Sequence, residues 1–155
     1  MFIPALVLAL HLLAALIWVG GMFFAYLILR PSLLGWEQRQ ALRLWRQVFE
    51  RFFRWVWVAV VVLIASGYWM LFVVYGGFAG ATPLIHLMQT LGLLMAGLFV
   101  WLYGVRWRQF QTALDDDEFE AAAVALGKIR HIVVVNLILG LINSAIGGLT
   151  PWIGI

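Results

Sequence analysis

Three histidines are the side chains best suited to chemistry in this chain, and their placement is informative. His11 lies in an apolar run in which no residue from Phe2 to Leu29 is charged. An ionisable group at membrane depth is a functional candidate, because burying a polar group without a partner is costly. His86 lies in a second apolar run, and His131 directly follows Arg130. His11 stands 19 residues before Arg30, and His86 stands 20 before Arg106. At 1.5 Å per residue both fall about 28–30 Å from those arginines, so two imidazoles on different helices share one level. His131 belongs to the opposite face.

Two level imidazoles in an apolar bundle suit b-type haem, whose iron takes an axial ligand from each side. Neutral imidazole also costs less to bury than a charged ligand. Copper is the competing chemistry, with Met22, Met88 or Met95 as soft additional ligands. A third reading is structural, with the histidines hydrogen-bonded to Gln89, Thr90 or Asn143. Ala14, Ala15, Trp18, Gly21, Met22 and Ala25 follow His11 at helical spacing, forming a mostly small face for helix contact or a flat ligand. The expected site is thus His11 and His86 as metal ligands, with Trp18, Met22, Gln89 and Thr90 around the cofactor. The leading expectation is haem b passing single electrons near the outer face, and copper transport or tolerance is the alternative.

Composition supplies the setting. The chain has 155 residues, 65% hydrophobic and 11% charged, and its mean hydropathy is +1.01. These values indicate an integral membrane protein. Nine Trp and four Tyr suit interfacial aromatic belts. With no cysteine, disulfides, thiolate metal sites, iron–sulfur clusters and covalent c-type haem are excluded. The net charge of +3 lies in two loops and does not indicate nucleic acid binding. Dinucleotide, phosphate-loop, zinc-protease and serine-hydrolase motifs are absent.

The elements expected to position the histidines are four spanning helices, at about 4–30, 55–75, 83–105 and 131–149, in a single all-α domain. The first lacks the basic start, short apolar core and small-residue cleavage site of a signal peptide, so it is read as a retained helix. Pro31 marks its end. Residues 36–54 alternate arginines with Leu42, Trp45, Phe49, Phe52 and Phe53, which predicts an amphipathic helix lying in the interface. Thr82 and Pro83 form a helix start. Residues 115–130 make a second amphipathic segment, capped by Asp115, Asp116 and Asp117 and continuing into the last helix. There, Asn136, Gly140, Asn143, Ser144 and Gly147 form one small and polar stripe predicted to face inward, and Pro151 ends the helix.

All ten Lys and Arg residues lie at or between the ends of helices 1 and 2 or of helices 3 and 4. The positive-inside rule then places both charged segments in the cytoplasm and both termini on the periplasmic or outer side. The expected location is a bacterial inner membrane, multi-pass. Expected partners are the lipid bilayer, a redox partner of unassigned identity and further copies in a homo-oligomer.

The segments HLLAALIWVGGMFF (11–24), PLIHLMQTLGLLMAG (83–97) and IRHIVVVNLILGLI (129–142) together resemble the small members of the copper resistance protein D (CopD) family. That resemblance implies copper handling. The start of helix 1 also resembles the HemJ-type protoporphyrinogen oxidases, four-helix membrane proteins associated with haem. A His-x-Lys pair opens the third helix of that family. Here the corresponding residues are His86 and Met88, so the lysine is missing and the oxidase activity is not assigned.

Overall fold

A computed structural model describes the backbone of residues 2–153 and the side chains of residues 2–150. Four long helices form the structure: α1 (Phe2–Ser32), α2 (Gln38–Val73), α3 (Pro83–Asp115) and α4 (Phe119–Ile153). Each contains a stretch long and apolar enough to cross a bilayer. In hydrocarbon the backbone must satisfy its own hydrogen bonds, and helices do so within one segment. The protein is a multi-pass membrane protein with an all-α, four-helix architecture.

The helices run further than the hydropathy pattern suggests. Residues 36–54 do not lie flat as a separate interfacial helix; from Gln38 they are the first half of α2. Leu42, Trp45, Phe49, Phe53, Val56 and Val60 are buried at steps of three or four residues, with no Pro or Gly between them. The apolar stripe therefore continues unbroken from the charged segment into the span. Similarly, α3 continues past 105 to Asp115, burying Trp107, Phe110 and Leu114. Asp115 thus closes α3 instead of capping the next helix, and Asp117 makes the turn to α4 with a positive φ of 57°. The last helix continues past Pro151 to Ile153. Thr82 occupies the N-cap position before Pro83, but its hydroxyl makes no capping bond.

Helix α1 packs on α2 and α4, and α3 packs on α4. The buried face of α1 is Ala14, Trp18, Met22 and Ala25, while Leu12, Leu13, Leu16 and Ile17 are exposed to the lipid side. Two one-turn π-helical segments, Phe24–Leu29 and Leu102–Trp107, interrupt α1 and α3 next to the arginines. Such widened turns change which side chains follow on a given face.

Below the apolar spans, the extended helix ends enclose an aromatic core. Phe49 stacks on Phe53 at 5.0 Å, Phe53 meets Trp107 edge-on at 5.4 Å, and Trp107 stacks on Phe110 at 5.6 Å. Arg46 ties this end together, bonding Glu50 one turn on and Asp115 at the end of α3.

Most of the inward stripe on α4 packs as expected. Asn136 and Gly140 are buried, and a methyl group added at Gly140 would meet Val19 of α1 at 2.8 Å and Met95 of α3 at 3.0 Å. Three helices therefore approach closely at Gly140, as small residues permit in membranes. Ser144, by contrast, is exposed. Asn143 and Gly147, on either side of it, still face α3.

Candidate functional site

His11 is half-buried on α1 and faces α2. Its Nδ1 lies 2.7 Å from Ser66 Oγ. Ser66 in turn lies 2.5 Å from the Val62 carbonyl, one turn back on α2. A serine hydroxyl has one proton, and a carbonyl can only accept, so Ser66 donates to Val62 and accepts from His11. The ring proton is thereby assigned to Nδ1. Neutral His11 then presents Nε2 as a bare lone pair, the form in which imidazole binds metals. Gly67 keeps the space beside the ring open: even a Cβ at that position would reach only to 3.5 Å from His11 Cε1.

The structural partner of His11 is thus Ser66, and not Gln89, Thr90 or Asn143. Gln89 instead donates to the Tyr68 hydroxyl at 2.9 Å, linking α3 to α2. Thr90 is exposed, and its hydroxyl returns to the His86 carbonyl at 2.8 Å. His86 is held by the loop between α2 and α3: Nε2 donates to the Phe78 carbonyl at 3.1 Å, and the ring stacks on Phe78 at 6.3 Å with 8° between planes. Neither a hydrogen bond nor a ring contact joins His11 and His86, and no cluster of three or more His, Cys, Asp or Glu occurs among the described residues. His131 is exposed at the arginine end.

Trp18 and Met22 are core residues. Trp18 meets Phe99 of α3 edge-on at 6.1 Å, and Met22 is 2% exposed. Two cavities lie at the arginine end; His131 lines one of them, and His11 and His86 line neither. The geometry gives no support to a haem slot between His11 and His86.

The seam between α3 and α4 holds a different set of donors. Met88 packs over Gly147, and its sulfur lies 4.0 Å from the Thr150 hydroxyl. Gly92 faces Asn143, and Met95 faces Gly140. Asn136 donates to the Met95 carbonyl at 3.1 Å. The Oδ1 atoms of Asn136 and Asn143 are buried without a protein partner among the described residues. Two thioethers and two free amide oxygens therefore follow one another along this seam. The helical spacing of Met88 and Met95 separates them by about 10 Å along the axis.

Comparison with known families decides the class. The copper resistance protein D family matches residues 46–150, about two thirds of the chain. The chain belongs to the copper resistance protein D family. The match includes α3 and most of α2 and α4, and therefore His86, Ser66, Met88 and Met95. It begins after α1, so His11 lies outside the matched segment. No curated relative and no solved structure shows significant similarity to the chain.

Proposed function

We propose that this membrane protein handles copper ions, taking them from the outer side into the bundle. The observation that carries this reading is the relay from His11 to Ser66 to Val62, which leaves His11 Nε2 free as a ligand. A hydrogen bond from the other ring nitrogen orients the imidazole and raises its basicity as a ligand. Met88 and Met95 supply the thioether sulfur that suits Cu(I). The unpartnered Oδ1 atoms of Asn136 and Asn143 favour a cation passing along the same seam, because each uncompensated acceptor costs about 1–3 kcal/mol. Family membership agrees with this reading. His86, bonded to Phe78 at the outer loop, stands where an ion would first meet the protein.

Copper binding to the purified chain tests the proposal. Cu(I) titrated against a chelator should bind with mixed nitrogen and sulfur ligation by X-ray absorption, and His11→Ala should remove nitrogen from the shell. A Soret band with sharp reduced α-bands in the purified protein would overturn the copper reading. It would restore haem b, with His11 and His86 as its ligands.

A further inference from the structure

At the arginine end, an open groove of about 240 Å³ runs between α1 and α4, lined by Tyr26, Arg30, Gly127, Arg130, His131 and Val134. Guanidinium groups from two different helices, Arg30 of α1 and Arg130 of α4, line it together. Among the described residues, the salt bridges run from Arg46 to Glu50 and Asp115, and neither Arg30 nor Arg130 has an acidic partner. Their neighbours are aromatic faces instead, Tyr26 under Arg30 at 5.0 Å and Trp45 under Arg130 at 5.1 Å. Arg130 Nε is buried without an acceptor. Arg130 is partly buried and Arg30 is exposed beside it, so an anion in the groove would meet both charges and supply the acceptor that Arg130 Nε lacks.

The surroundings decide what that is. The groove lies where the apolar run of α1 ends at Arg30 and that of α4 begins after His131. This is the level of lipid phosphates. Leu27 and Ile28 of α1 and Ile138 of α4 continue from it along the apolar surface, each about half exposed. The Arg30 amide donates to the Ala25 carbonyl, five residues back, within the π-helical turn. That wide turn sets the direction in which Arg30 leaves α1. Gly127 forms an open wall, where an added Cβ would meet nothing within 4 Å.

We propose that this groove binds the phosphate headgroup of an anionic phospholipid, with Arg30 and Arg130 as a two-helix clamp and the acyl chains lying along Leu27, Ile28 and Ile138. Basic pockets between helices at the membrane surface recognise such headgroups, and a guanidinium can grip phosphate with two parallel hydrogen bonds. The site is separate from the proposed copper path and does not depend on it.

The test is thermal unfolding of the full chain in neutral detergent, titrated with phosphatidylglycerol, phosphatidylcholine or sodium phosphate. Phosphatidylglycerol should raise the unfolding midpoint saturably, and the other two should not. Arg30→Gln combined with Arg130→Gln should weaken this response by about tenfold or more. Gly127→Phe, which puts a bulky ring on the open wall of the groove, should abolish the response to phosphatidylglycerol. Arg51→Gln, an exposed arginine on α2, should leave it intact. The proposal fails if phosphatidylcholine stabilises equally, if Arg51→Gln costs as much as the groove variants, or if Gly127→Phe responds like the parent. Stabilisation by sodium phosphate alone would show a free-anion site and overturn the lipid assignment.

Discussion

His11 and Ser66, 55 residues apart in the chain, are joined by a 2.7 Å hydrogen bond across the α1–α2 interface. Because Ser66 spends its only proton on Val62, this bond fixes the proton of His11 on Nδ1. One short contact therefore ties two helices together and determines which imidazole nitrogen can meet a metal.

Ser66→Ala should separate these effects. It removes the acceptor that orients His11 but keeps the imidazole. Copper affinity should fall by about 10–100-fold, the usual cost of losing an outer-shell partner. Stability should fall by about 1–3 kcal/mol, because a buried donor loses its acceptor. Chelator competition and detergent unfolding measure the two separately. Unchanged copper affinity would mean that Ser66 does not set the ligand form of His11.

Gly140 tests the packing of the bundle. A larger side chain there must displace Val19 and Met95, so Gly140→Leu should destabilise by about 1–3 kcal/mol through overpacking. Leu141, 48% exposed, is the matching lipid-facing control, and Leu141→Ile should change little. Its neighbour Leu139 would be a poor control, because it packs against the core. Equal unfolding midpoints for Gly140→Leu and the parent would remove α4 from the centre of the bundle.

The fold was legible because hydrophobic runs, charge-free stretches and proline positions all report on spanning helices. Their lengths were less so. The arginines of residues 39–54 look like the boundary of a span, yet Leu42 to Val60 keeps one buried period through them, and α2 continues. That error carried into the site. Counting from Arg54 places Ser66 about 10 Å deeper than His11. The count misleads because Arg54 stands within a continuous helix and does not mark its end. Ser66 and Gly67, the one small polar break in α2, were the available signal. His11 and Met95 could be singled out from residue type alone. The pairing of Met95 with Gly140 needed the helix register, which no spacing within one helix reveals. Family matching adds the copper association for residues 46–150 but does not reach His11.

The charge distribution predicts the orientation. A reporter active only in the cytoplasm should work when fused after Gln40 or Leu114 and fail after Ile155, since all ten Lys and Arg residues flank the first two positions' segments. Activity after Ile155 would invert the protein and place His11 on the cytoplasmic side.

Copper flux into liposomes containing the purified chain tests the proposed passage of copper by way of His11. The parent should carry Cu(I) faster than empty liposomes. His11→Ala and Met95→Leu should each reduce the flux, by about tenfold or more if one ligand is worth about 1.4 kcal/mol at the transport barrier. His131→Ala, at the arginine end, should transport like the parent. Flux equal to that of empty liposomes, or flux unchanged by His11→Ala, would contradict the account.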